Sequence, residues 1–400
     1  MSHALDDADP LAPLRDRFVG SDSPLVYLDG NSLGRPLAVT ADRLHAFVRD
    51  EWGGRLIRGW DEGWFELPLS LGDEIGRVCL GAAPGQMAVA DSTTVLLYKL
   101  MRTAVAARPG RTEIVIDRDN FPTDRYLAMG VAAECGLTVR WLDVDTAAGA
   151  TIEQVAAVVG EQTALVALSH VSYRSAWVAD VGEITRVAHD AGALVLWDLC
   201  HAVGAVPVEL DAWEVDLAAG CTYKYLNGGP GSPAFCYVAQ RHLETFTQPI
   251  HGWMGNTDPF LMGPDYVPVE GIRRFLSGSP AVVGMLAIQD MVALIDEAGI
   301  DAVRKKSEQL TSYAVELADE RLASHGVTVA SPRDPARRGG HVTLRHPRMQ
   351  EVVSTLWTHD VLPDYRDPGG LRIGLSPLST SYDELERGID QVAAVLDGLG

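Results

Sequence analysis

The sequence predicts an α/β fold: a large domain built on a mostly parallel sheet, followed by a smaller α+β domain. Short apolar runs alternate with helical patterns through the middle of the chain, and the pattern changes beyond Pro280. In addition, 400 residues at 47% hydrophobic content exceed what one core usually serves. The runs at 113–116, 138–142, 164–168, 193–197 and 215–219 are short and largely apolar, as strands buried on both faces of a parallel sheet require. Between the third and fourth runs, Val181, Ile184 and Val187 recur at helical spacing, and Gly192 stands where a helix stops. Further on, helices are expected over 281–298 and 303–322, then short strands near 327–330 and 342–344. A final helix presents Leu385, Ile389, Val392 and Leu396 on one face. Segment 331–340, rich in Pro, Arg and Gly, is expected as an exposed loop with Arg333, Arg337 and Arg338 solvated. The expected division is an N-terminal segment, 1–50, associated with the smaller domain, then a large domain over 51–280 and the smaller domain over 281–400.

Composition excludes several classes of function. A formal charge of −21 opposes nucleic-acid backbones and anionic membrane surfaces. The apolar stretch 281–288 is broken by Gln289 and Asp290, well short of the ~20 residues that span a bilayer. The first ten residues lack the basic and apolar regions of a secretory signal. Cys79, Cys135, Cys200, Cys221 and Cys236 form no C-x-x-C pair, and their odd number fits reduced cytoplasmic thiols better than a disulfide framework. No histidine or cysteine cluster has metal-ligand spacing, so no metal site is expected.

The chemistry concentrates around Lys224, in the run Cys221-Thr-Tyr-Lys-Tyr-Leu-Asn-Gly-Gly-Pro-Gly231, with Asp198 ending an apolar strand upstream. A lysine amine can hold an aldehyde cofactor as a Schiff base, and a carboxylate beside a pyridine nitrogen keeps it protonated and electron-accepting. That pairing points to pyridoxal phosphate. Asp198 and His201 follow the strand 193–197, and ligands of open parallel sheets collect just beyond strand C-termini. Asp91-Ser-Thr-Thr94 precedes an apolar helical stretch, so its hydroxyls and free amides form an anion site at a helix N-terminus. Asn120-Phe-Pro-Thr-Asp124 opens another helix after strand 113–116, which offers Phe121 for stacking on a cofactor ring. The match G-x-G-x-x-A from Gly229 to Ala234 precedes a strand rather than a helix and is not a dinucleotide fingerprint. Gly228, Gly229 and Gly231 are expected to allow close backbone packing beside Lys224.

Together these motifs resemble the kynureninases, which belong to the aspartate aminotransferase-like fold type I of pyridoxal phosphate enzymes and have class V aminotransferase relatives. The resemblance rests on Tyr27-Leu-Asp-Gly-Asn-Ser-Leu-Gly34, Trp52-Gly-Gly-Arg-Leu-Ile-Arg-Gly-Trp60, Phe121-Pro-Thr-Asp124, Trp197-Asp-Leu-Cys-His-Ala-Val-Gly204, the Lys224 run, and Leu371-Arg-Ile-Gly-Leu-Ser-Pro-Leu378. It implies that Lys224 carries the cofactor and Asp198 pairs with its ring nitrogen, with Tyr223 as an acid/base group. It further implies that Thr93, Thr94, Ser169, His201, Tyr223, Trp253 and Ser279 contact the cofactor or its phosphate, and that Phe121, Pro122, Thr123 and Asp124 flank the ring. Arg372 matches the receiver of the substrate α-carboxylate, while Gly54, Trp60 and Ser279 fall near the substrate ring. The implied activity is hydrolysis of L-kynurenine, or of its 3-hydroxy analogue, in tryptophan catabolism and NAD biosynthesis. A homodimer with the site near its interface is also implied. Competing readings are an aminotransferase, a cysteine desulfurase-like lyase, or an inactive cofactor-binding scaffold. The lyase needs a cysteine on a C-terminal loop, whereas the last one here is Cys236.

Overall fold

The computed structural model describes residues 3–399. Its centre is a seven-stranded sheet in the order Met87–Ala90, Ala234–Val238, Leu217–Gly220, Leu194–Asp198, Thr163–Ser169, Glu113–Asp117, Thr138–Leu142. Ala234–Val238 runs antiparallel to both neighbours, and the five strands expected from the sequence are parallel to one another. Their apolar runs divide by the two-residue period of a strand. Val115, Val166, Leu168, Val195 and Trp197 enter the core on one face, and Ile114, Ile116, Leu165, Leu194 and Leu196 enter the core on the other. Both faces of the inner strands are covered, which explains why the sequence shows no polar alternation there, whereas the edge strand Thr138–Leu142 exposes Thr138 and Arg140.

Helices Thr93–Ala106 and Pro122–Cys135 contribute Leu96, Leu100, Ala128 and Val131 to the second face. Helix Val181–Asp190 contributes Val181, Ile184 and Ala188 to the first. Its start is fixed by Asp180, whose carboxylate accepts from the Glu183 N–H. Helix Val282–Ala298, assigned to the smaller domain from the sequence, packs Met285, Ile288, Met291 and Ile295 into the large-domain core.

The second unit has a four-stranded antiparallel sheet in the order Asp364–Arg366, Gly370–Gly374, His341–Arg345, Thr328–Val329. Helices Ile300–Arg321, Met349–Trp357 and Tyr382–Leu399 supply its core, which includes the expected stripe Leu385, Ile389, Val392 and Leu396. The N-terminal segment divides between the two units. Val26–Tyr27 pairs in parallel with Val361–Leu362, and Val26 and Leu28 join the smaller core, whereas Leu11, Phe18 and Leu37 join the larger one.

One loop expectation fails. Arg338 is fully buried, donating to the carbonyls of Pro332 (2.5 Å) and Arg333 (3.1 Å) and to Ser312 Oγ (2.9 Å). Its guanidinium fastens the loop from inside, because otherwise unpaired carbonyls there need a donor.

Candidate active site

The strands Leu194–Asp198 and Leu217–Gly220 are parallel neighbours in register, with Asp198 opposite Ala219. Asp198 ends the first strand and the Lys224 turn follows the second, so both groups emerge at the same sheet edge. Lys224 is 8% exposed. Its turn is locked by the Asn227 N–H to the Lys224 carbonyl (3.1 Å), the Gly228 N–H to the Thr222 carbonyl (2.9 Å), and Thr222 Oγ1 donating to the Pro233 carbonyl (2.6 Å). The N-terminal segment presses on this turn, where the Gly34 N–H donates to the Tyr223 carbonyl at 2.8 Å. A side chain at Gly34 would meet the Lys224 carbonyl and the Asn227 side chain at 2.4 Å, so only glycine fits. Gly229 and Gly231, by contrast, have open space and φ of +83° and +77°. They supply turn conformations rather than the close packing expected of them, whereas at Gly228 an added side chain would meet Ile288 and Ser232 at 2.8 Å, as expected.

A cavity of about 430 Å³ opens over Lys224. The N-terminus of helix Thr93–Ala106 brings Asp91, Ser92, Thr93 and Thr94 to its wall, and the next helix start brings Phe121, Thr123 and Asp124. Asp198, Cys200 and His201 come from the sheet edge, while Tyr223, Gly231 and Ser232 come from the Lys224 loop. Ser92 caps its helix by accepting from the Val95 N–H. Phe121 is 37% exposed, and its ring centre lies 5.9 Å from Lys224 Nζ, as does that of Tyr223.

Buried charges set the electrostatics. Lys224 Nζ lies 3.3 Å from His201 Nε2. Burial, then the Lys224 ammonium, pushes His201 well below the imidazole range, so the ring is neutral. Asp198 Oδ1 accepts from the Cys200 N–H at 2.7 Å. Asp124 lies beside Asp198, and burial, reinforced by that neighbouring carboxylate, holds its acid far above the carboxylate range. Burial, then Cys221, raises the Tyr223 phenol, which keeps its proton. Pyridoxal phosphate fits these residues: two facing buried carboxyl groups suit a protonated ring nitrogen, a buried amine suits the aldehyde, and free helix amides suit the phosphate.

Several expected residues lie off this wall. Pro122 opens its helix, and Ser169 Oγ donates to Asn120 Oδ1 at 2.9 Å behind the ring-flanking loop. Gly54 and Ser279 are exposed, and Trp60 and Trp253 pack edge-to-face with centroids 6.4 Å apart. Arg372 is 2% exposed and forms a fork with Asp364, its cross-strand partner, with Nε to Oδ1 at 2.7 Å. It also donates to the Tyr173 carbonyl (2.7 Å) and Ser32 Oγ (3.0 Å), and Tyr173 packs against Phe121. Asp364, Cys200 and Ser232 were not singled out in the sequence. Cys200 and Ser232 sit within ten residues of Asp198 and Lys224, the one signal that could have found them. Among the described residues, no cluster of His, Cys, Asp and Glu could hold a metal ion, and no helix is long and apolar enough to cross a membrane.

Comparison with known proteins agrees with this geometry. A cysteine desulfurase from Thermococcus onnurineus NA1 superposes with a TM-score of 0.82 at 18% identity, covering 96% of this chain and 98% of that one. A C-DES mutant with glycine covalently linked to its PLP cofactor superposes at 0.83 and 18% identity, covering 95% and 98%. Fold and site together define a pyridoxal phosphate-dependent enzyme of fold type I. The kynureninase C-terminal domain family matches residues 303–392. Kynureninases of Burkholderia pseudomallei (strain 1106a) and Pseudomonas fluorescens are 39% and 38% identical, in each case over 98% of this chain and 94% of the relative. The chain belongs to the kynureninase family.

Proposed function

We propose that this chain hydrolyses the Cβ–Cγ bond of L-kynurenine, giving anthranilate and L-alanine. The observation that carries the reading is the buried Lys224 amine beside neutral His201, with two buried carboxyl groups side by side in the same cavity. Bound pyridoxal phosphate supplies an electron sink for carbanions at the substrate Cα and Cβ. In this reading Lys224 binds the cofactor and moves the Cα proton. Asp198 and Asp124 share the charge at the ring nitrogen, Phe121 covers one ring face, and Pro122 and Thr123 shape that edge. Ser92, Thr93 and Thr94 hold the phosphate, His201 faces the ring oxygen, and Ser169 supports the site through Asn120. Water adds to the γ-ketone, the Cβ–Cγ electron pair moves toward Cβ, and the Tyr223 phenol delivers the proton there. Arg372 receives the α-carboxylate, with Asp364 holding its fork in place.

A homodimer completes this proposal. Trp52, Leu56, Ile57, Phe260, Leu261 and Met262 are all more than half exposed. Phe260 packs on Phe65 and Trp253, and Trp253 on Trp60, so the apolar surface is continuous with the expected substrate and cofactor residues. A second copy covering it would bring Gly54, Trp60, Trp253 and Ser279 to a site. Sedimentation equilibrium decides between dimer and monomer. All five cysteines are unbridged, which supports a reducing, cytoplasmic setting in tryptophan catabolism and NAD biosynthesis. The mainly apolar indole of Trp60 favours the unsubstituted ring, with Ser279 as the polar group that moderates the preference, so 3-hydroxykynurenine is the poorer substrate, an order that paired kcat/KM values check. The activity itself is tested by product analysis with the purified protein. Anthranilate with alanine is expected, whereas a keto acid would indicate transamination and no turnover would indicate a binding scaffold.

A further inference from the structure

Lys99 is the most completely buried cation near the site, and nothing in the reaction above uses it. Its side chain has 0% exposure, although it lies only one turn and a half into the helix whose N-terminus faces the cavity. A buried ammonium is costly unless paired. Nζ donates to Asp91 Oδ2 at 2.6 Å and to the Phe275 carbonyl at 2.8 Å. Asp91 borders the site, and Phe275 is a core residue. Asp91 lines the cavity with a quarter of its side chain open, directly before Ser92, Thr93 and Thr94. Phe275 ends a turn that leads on to Ser279.

Asp91 poses an electrostatic problem. Its backbone is left-handed, with φ of +47°, and its carbonyl accepts from the Ala234 N–H at 3.0 Å. This conformation turns the chain into the helix and leaves the Thr93 and Thr94 amides free for an anion, while Ser92 takes the Val95 N–H. The same turn places a carboxylate beside the intended seat of a phosphate, where like charges repel. We propose that Lys99 is a positioning residue for phosphate binding: it cancels the Asp91 charge and holds the 91–94 turn, without itself touching the ligand. The inference rests on the assignment of that turn to the cofactor's phosphate.

The test uses the purified protein, stripped of cofactor and titrated with pyridoxal phosphate and with pyridoxal, which keeps the aldehyde and lacks the phosphate. Wild type binds the phosphorylated form more tightly; if it does not, the phosphate assignment itself fails. Lys99→Met is expected to weaken pyridoxal phosphate by about tenfold or more while pyridoxal changes little, because only the phosphate meets the unmasked Asp91. Lys99→Met with Asp91→Asn removes the repulsion and regains most of that loss. Equal weakening of both ligands by Lys99→Met, or no recovery in the double variant, overturns the proposal. Should Lys99→Met not fold, Asp91→Asn alone decides. Phosphate then becomes the remaining counter-charge for Lys99, so pyridoxal phosphate binds more tightly and pyridoxal does not, and weaker or unchanged binding of the phosphorylated form overturns it.

Discussion

That Lys224 and Asp198 meet was legible because the sheet edge they share follows from strand order. The interactions of their neighbours were not. Asp364 meets Arg372 only through an antiparallel register, and Asp124, expected beside the ring, has its pKa raised only by burial beside Asp198. Lys224→Ala should abolish the visible absorbance of the lysine-bound cofactor and nearly all turnover; wild-type absorbance in that variant would refute the assignment. For Arg372→Ala, kcat/KM toward L-kynurenine should fall by roughly 2–5 kcal/mol, the cost of losing a desolvated charge partner. The decarboxylated amine of the substrate separates this role from simple structural support. It should bind wild type and variant alike, whereas parallel losses for both ligands would leave Arg372 only its ion pair with Asp364.

At the scale of elements, the apolar strands and the helix starts were readable, since periodicity and capping residues are local signals. What escaped was how segments use one another. Segment 331–340 looked solvated from its composition, yet Arg338 turns inward because the loop carbonyls need donors. Helix Val282–Ala298 looked like the start of a new unit, yet its apolar face completes the larger core. The N-terminal motif containing Gly34 carried no visible link to Lys224, although the two backbones touch. Gly34→Ala should therefore force the lysine turn outward, at a cost of about 1–3 kcal/mol for overpacking, and weaken cofactor retention together with stability. Thermal melts with and without pyridoxal phosphate check this, and an unaltered cofactor-induced shift would contradict it.

For the whole molecule, two buried imidazoles tie stability to pH. His170 is 2% exposed and packs edge-to-face on Trp213 in the large core, and fully buried His341 lies in the smaller sheet, 5.7 Å from His201. Both are pushed down to about 3, chiefly by burial, then by Arg304 for His170 and Arg372 for His341. A depressed folded-state value means that their contribution is fully present above the free imidazole range near 6.5 and is lost as pH falls toward 3. At pH 5 the loss amounts to roughly 2 kcal/mol for each. Urea unfolding at pH 7 and pH 5 should show a smaller acid loss in His170→Gln than in wild type, and identical losses would rule the account out. The central claim concerns the Lys224 cavity at the edge of the large sheet, which in the proposed reaction lets water cleave a carbon–carbon bond. Its most direct test is turnover of L-kynurenine in water enriched in oxygen-18, with mass analysis of the products. The account predicts anthranilate carrying solvent oxygen in its carboxylate, with L-alanine in equal amount. Anthranilate free of solvent oxygen, or a keto acid in place of alanine, would contradict it.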